Sequence, residues 1–307
     1  MHRLIETERA ARICALLGAL AIAWSSILVK LSHASPSTAA IFRCAYAVPL
    51  LLALAVREDR RYGARSWRDR RAAVAAGVFM AIDLVLWHHS IDDVGAGLAT
   101  VLANIQVVFV PLVAWVVLSE RPPNRVLVAL PLTLLGVVLI SGVLEQGAYG
   151  SDPKAGTAYG VAAGISYVGV LLLLRRAGVD RRRPAGPMLD LTVTATIVAS
   201  VIGALWGDAR FIPTLPGAWW LVTLALTSQV LGWLLITISL PRLPAALTSL
   251  LLMIQPIGSM ILGALIFGES PSTLQLLGVL VVLGAVIYAT RGRVSGTDPV
   301  TVREATV

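Results

Sequence analysis

The chain has 307 residues, 57% hydrophobic and only 14% charged, against about 25% charged in soluble domains. Together with a mean hydropathy of +0.81, this excludes an ordinary soluble domain and implies a polytopic membrane protein. A net charge of +8 would suggest nucleic acid in a soluble protein, but here the arginines lie in short loops between apolar spans, so no nucleic-acid partner is expected.

In chain order, apolar segments fall at 12–31, 37–56, 71–91, 95–118, 125–143, 155–174, 188–206, 218–240, 244–267 and 273–290. Each approaches the length of about 20 residues that crosses a hydrocarbon core of roughly 30 Å. The expected fold is therefore all-α, with ten transmembrane helices. Ser32-His33-Ala34 has the look of a signal-cleavage site, but the preceding apolar run is longer than a signal core, so it is read as the first span. Cys14 and Cys44 both lie in apolar segments and are read as packing residues.

Of the 25 basic residues, all but Lys30, Arg43, Lys154 and Arg210 fall before span 1, in loops 2–3, 4–5, 6–7 and 8–9, or after span 10. The intervening loops carry Asp92, Asp93, Glu145, Asp152, Asp208 and Glu269. The positive-inside rule then places both termini in the cytoplasm, in a bacterial-type inner membrane.

The chain repeats itself. A shift of 149 positions carries Leu98, Leu102, Gln106, Glu120, Pro122 and Leu127 onto Leu247, Leu251, Gln255, Glu269, Pro271 and Leu276. Leucines would coincide between any two apolar segments; a Gln, a Glu and a Pro in register would not. Residues 1–149 and 150–293 are read as two five-helix repeats, with 294–307 a flexible cytoplasmic tail. Five spans per half is odd, so the second copy is inverted relative to the first, the architecture of many secondary transporters.

The repeated block resembles the EamA repeat of the drug/metabolite transporter superfamily. The likeness rests on Gln106 and Gln255, on the Glu-x-Pro turns Glu120-Pro122 and Glu269-Pro271, and on the following glycines Gly136, Gly278 and Gly284. Ala23-Trp24-Ser25-Ser26 resembles the family's Trp-Gly-Ser start, and Ala40 to Arg43 its Ala-x-x-Arg. The likeness extends from about residue 12 to 290. Two departures stand out: Val107 occupies the place of Pro256, with Pro111 one turn later, and Ser25 replaces a glycine. The resemblance implies a ten-helix carrier of small organic solutes, often an exporter of amino acids or related metabolites.

The residues themselves supply candidate chemistry. Two formal charges lie well inside spans, Arg43 and Asp83. A charge at that depth costs about 2.5–3.5 kcal/mol on insertion scales and persists when it faces the interior with a partner. An Arg43–Asp83 pair is expected. Arg43 either binds a substrate carboxylate, locks spans 2 and 3 as an ion pair, or snorkels to the outer interface. His88 and His89 follow one turn after Asp83. They form either an Asp–His proton relay or an interfacial pair beside Asp92 and Asp93. No spacing supports a metal, and no cofactor is expected.

Trp24, Tyr46, Trp87, Tyr167 and Trp233 lie inside spans and are candidate cavity walls or packing aromatics. Trp115, Trp206, Trp219 and Trp220 fit the interfacial belts. Asn104, Gln106 and Gln255 need polar partners and face protein or a cavity. Pro111 and Pro256 free backbone carbonyls at expected helix breaks. Glu120 and Glu269 are expected to cap the helix that follows each.

The expected function is secondary transport of small metabolites by alternating access, with the bilayer, a small-molecule substrate and candidate protons as partners, as monomer or homodimer. No phosphate-binding loop suggests ATP. An intramembrane enzyme would rest on Asp83 with His88 and His89, the one acid/base candidate, with no serine–histidine or metal pattern to support it. A passive channel or facilitator is the first alternative and an intramembrane enzyme the second.

Overall fold

A computed structural model describes residues 8–119, 121–122, 124–177, 182–212, 214–239 and 254–290. Every regular element among these residues is helical, as a bilayer requires of chains that must satisfy their own backbone groups. Seven helical stretches are long and apolar enough to cross a membrane: Arg9–Ser32, Pro36–Tyr62, Trp67–Ala103, Pro153–Leu174, Ala185–Trp206, Gly217–Ser239 and Thr273–Thr290. Two shorter apolar helices, Asn124–Ile140 and Ile254–Phe267, accompany them.

Several of the long stretches are broken. The first consists of α1 (Glu8–Ala23) and α2 (Ser25–Ser32), joined at Trp24. In the second, α3 (Pro36–Ala45) opens on a proline in its first turn, and α4 (Val48–Tyr62) begins after Tyr46-Ala47. Pro49 has no N–H to offer the Ala45 carbonyl, which explains the interruption. The third, α5 (Trp67–Ala103), is two helices meeting at Gly95, whose φ of 85° and ψ of 167° lie where only glycine sits without strain. A further break at Asn104-Ile105 precedes α6 (Gln106–Leu118). The segment read as one span over 95–118 is therefore two helical pieces.

The remaining helices are α7 (Asn124–Ile140), α8 (Pro153–Ala177), α9 (Ala185–Trp206), α10 (Gly217–Leu224), α11 (Trp233–Ser239), α12 (Ile254–Phe267) and α13 (Thr273–Thr290). A π-helical stretch, Ala225–Gly232, separates α10 from α11. Glu120, Arg242, the start of the segment 244–267 and the tail 294–307 lie outside the described residues.

α5 is central. It packs on α8, α9 and α12. α1 packs on α11, on the π-helical stretch and on α12; α3 and α4 pack on α9; α7 pairs with α13. The α7–α13 crossing is close because two glycines meet there. A Cβ on Gly136 would lie 2.8 Å from the Gly278 carbonyl, and one on Gly278 would lie 2.7 Å from the Gly136 carbonyl. Leu51, Met80, Leu98, Leu102, Met188 and Leu191 are buried in a single core. Leu134, Leu205, Leu265 and Leu280 face outward, where lipid rather than water receives them. Cys44 is buried and Cys14 half-buried, both as free thiols.

The arginine-rich end of the bundle is laced by ion pairs. Arg65 and Arg70 meet Asp190 at 2.8 and 3.0 Å, and Arg183 meets Asp59 at 2.9 Å. Asp190 sits in the first turns of α9, a further charge near a span end.

Candidate functional site

α3 carries Arg43 into the middle of the bundle. α5 brings Asp83 and Trp87, four residues apart and so on one helix face. The break after α5 presents Asn104 and Gln106. α8 supplies Tyr167, α11 Trp233 and α12 Gln255. All eight of these residues line one cavity of about 70 Å³.

Arg43 is 3% exposed and Asp83 7%. Among the described residues no ion pair joins them, contrary to expectation. The Arg43 Nε donates instead to Gln229 Oε1 at 3.0 Å, and Gln229 Nε2 reaches Thr192 Oγ1 at 3.4 Å. The guanidinium carbon lies 5.7 Å from the centre of the Trp87 ring. This explains the geometry: an amide on the π-helical stretch holds the guanidinium plane by one edge, and the tryptophan supports its face. Arg43 Nη1, Trp87 Nε1 and Gln106 Oε1 are buried without a hydrogen-bond partner. Leaving a buried polar atom unpaired costs about 1–3 kcal/mol. All three belong to residues that line the one cavity.

The walls are aromatic and hydroxylic. Tyr167 meets Trp233 edge to face at 5.7 Å. Thr100 lines the cavity and hydrogen-bonds Ser259 Oγ at 3.0 Å. Ser259 in turn meets Ser26 Oγ and donates to the Ala96 carbonyl at 3.0 Å. These hydroxyls tie α2, α5 and α12 together on one side of the cavity.

Three expected cavity residues stand outside it. Trp24 is 42% exposed at the α1–α2 junction and faces away. Tyr46 packs on Phe42, ring centres 5.1 Å apart, one turn along α3. His88 is buried with Nδ1 3.1 Å from the Pro36 carbonyl, which draws it toward the start of α3 rather than toward Asp83. His89 stacks on Trp206 at 4.5 Å and lies 3.6 Å from Asp208. Pro111 lies inside α6 and the chain breaks before it, at Asn104-Ile105. Pro256 lies in the first described turn of α12. Glu120 is not among the described residues.

Glu269 does cap a helix, but not its own. Its carboxylate accepts Ala96 N at 2.7 Å and Gly97 N at 3.1 Å, where α5 restarts after Gly95. Lys30 Nζ completes the site at 2.8 Å. A carboxylate at the positive end of a helix is favoured by both amides and dipole. The helix that follows Glu269 is capped otherwise: Ser272 Oγ accepts Gln275 N at 3.1 Å and Gln275 Oε1 accepts Ser272 N at 3.0 Å. That reciprocal pattern is a capping box, and Ser-x-x-Gln before an apolar run was there to be read.

Comparison with known proteins agrees with this architecture. The sequence profile of the EamA-like transporter family matches residues 10–142 and again 154–291. An uncharacterized transporter of Synechocystis sp. is 24% identical over 276 residues, 83% of this chain and 79% of its own length. An uncharacterized transporter of Archaeoglobus fulgidus is 24% identical over 230 residues, 73% of this chain and 78% of its own. A solved crystal structure superposes with a TM-score of 0.59 at 14% identity, over 92% of this chain and 98% of its own.

Proposed function

The chain belongs to the EamA-like transporter family, and from that premise we propose that it is a secondary transporter moving small zwitterionic metabolites, amino acids foremost, outward by alternating access around the Arg43–Asp83 cavity. The observation that carries this reading is the cavity itself. Arg43 and Asp83 line it with no salt bridge between them among the described residues, and Arg43 Nη1, Trp87 Nε1 and Gln106 Oε1, on three of its lining residues, are buried without a hydrogen-bond partner. Arg43 suits a carboxylate through its planar fork. Asp83 suits an ammonium. Trp87, Trp233 and Tyr167 suit an apolar side chain.

The cavity of about 70 Å³ is smaller than ligand pockets of roughly 300–1,000 Å³. Loading an amino acid therefore requires the helices around it to part, as alternating access supplies. The breaks at Gly95, at Asn104-Ile105 and in the π-helical stretch are where such parting costs least.

The packing pattern supports ten spans in two inverted halves, 1–149 and 150–293. Number the spans in order. Span 1 packs on spans 8 and 9, and span 6 on spans 3 and 4; span 2 packs on span 7, and span 5 on span 10. Exchanging each span with its counterpart five places on maps this pattern onto itself. The doubled family match supports the same division. Both termini in the cytoplasm of an inner membrane complete the proposal.

Purified protein in proteoliposomes tests it. Labelled amino acids, aromatic and aliphatic, are loaded and their release is followed with and without a pH gradient. The proposal expects saturable release of some members, lost in Arg43→Ala and Asp83→Asn variants that fold. Normal transport by either folded variant, or release that does not saturate as a passive channel would give, contradicts it.

A further inference from the structure

A second concave site lies at the arginine-rich end, apart from the central cavity. It is a groove of about 270 Å³ between α4, the start of α9 and α11. Leu54, Arg57 and Arg61 recur at helical spacing and so share one face of α4. Leu234 and Ile238, four apart on α11, form the facing wall. Arg182 reaches in from just before α9. Its guanidinium carbon is 5.3 Å from the Tyr62 ring centre, and that of Arg61 is 5.5 Å from the same ring. One aromatic ring thus holds two cations in place on one side of the groove.

One carboxylate shares the groove with these arginines. Glu58 also lines the groove, but its two oxygens accept Ala185 N at 3.0 Å and Gly186 N at 2.9 Å. The neighbouring Arg183 is engaged by Asp59. Arg57 and Arg61 are both exposed, and like charges one helical turn apart repel unless an anion lies between them. Along α4 the sequence turns from apolar at Val48 to Val56 to charged from Arg57 onward. Leu54 to Arg57 spans about 4.5 Å of axial rise, so the groove straddles the boundary between hydrocarbon and headgroups.

We propose that this groove binds an anionic phospholipid, with the phosphate held by Arg57 and Arg61 and the first part of an acyl chain against Leu54 and Leu234. A basic pocket between helices at headgroup depth fits that chemistry. A soluble anion would use the arginines and leave the apolar wall without a role. The site uses no residue of the central cavity, so its success or failure is separate from that of the transport reading. An occupied groove bridges α4, α9 and α11 and would bias how those helices move.

Native mass spectrometry of the full chain in detergent provides the test, with dioleoyl phosphatidylglycerol, dioleoyl phosphatidylcholine and inorganic phosphate as probes. Phosphatidylglycerol is expected to bind in preference to the other two. Arg57→Gln/Arg61→Gln is expected to weaken it roughly 30-fold, since each arginine near an anionic lipid is worth about fivefold. Arg68→Gln, an exposed arginine outside the groove, is expected to bind as wild type does. Should the double variant fail to fold, Arg57→Gln alone is expected to lose about fivefold. Equal binding of the two lipids, wild-type binding by the folded double or single variant, or inorganic phosphate binding as tightly as the lipid overturns the proposal.

Discussion

Replacing Glu269 tests how the two ends of the sequence are held together. Its carboxylate satisfies two backbone amides at 2.7 and 3.1 Å and the Lys30 ammonium at 2.8 Å, with 3% of its side chain exposed. Glu269→Ala strands all three donors. Breaking a buried pair by removing one partner costs about 3–5 kcal/mol. The exposed quarter of Lys30 (26%) lets water take up part of that loss, while the buried amides of Ala96 and Gly97 have no such relief. A net loss of about 3–4 kcal/mol corresponds to a melting temperature lower by about 6–10 °C, at the small shifts per kcal/mol that large chains show. Lys30→Met leaves the carboxylate its two amides and is expected to cost about half as much. Combining Lys30→Met with Glu269→Ala is expected to cost less than the sum of the two, because no unpaired charge remains. The assay is thermal unfolding in detergent, monitored by tryptophan fluorescence, on the four proteins. A Glu269→Ala melting temperature within about 1 °C of wild type would refute the reasoning, since even one stranded buried donor costs more.

Two further predictions follow from the backbone and the site. Gly95→Ala places a Cβ 2.8 Å from the Glu269 carboxyl at a φ of 85°, and is expected to lower the melting temperature as much as Glu269→Ala; Gly284→Ala, where nothing lies within 4 Å, is expected to be neutral or stabilising by up to about 1 kcal/mol. Gln229→Leu removes the acceptor of Arg43 Nε and is expected to weaken substrate half-saturation in proteoliposomes by tenfold or more, with retained folding checked by melting temperature, since a buried charged donor left unpaired costs about 1.5–3 kcal/mol.

Much of this was legible from residue order. The helical class followed from apolar runs, and the Gly95 break was visible as the gap between segments 71–91 and 95–118. Arg43, Asp83, Trp87, Asn104, Gln106, Tyr167, Trp233 and Gln255 stood out because polar or aromatic groups at depth need a reason, and they share a cavity. Gln229 meets the same criterion, an amide in an apolar span, and was passed over. Lys30 and Asp190 lie near span ends, where a charge looks interfacial; only the packing of α2 against the Glu269 turn and of α9 against Arg65 and Arg70 shows them engaged. His88 could not be placed from spacing, because the Pro36 carbonyl that draws it away is 52 residues distant. The partner of Glu269 was missed for the same reason: a helix start 172 residues away competes with the adjacent one, and the adjacent one already has Ser272 and Gln275.

The most direct test of the central account is side-specific labelling of the cavity. Ala103 lines it, and Ala103→Cys in a Cys14→Ser/Cys44→Ala background offers one thiol there. A membrane-impermeant maleimide is added to oriented vesicles from either side, with and without a transported amino acid. The account predicts labelling from both sides, slowed by saturating substrate. Labelling from one side alone under all conditions, or labelling from both sides that substrate leaves unchanged, would contradict it.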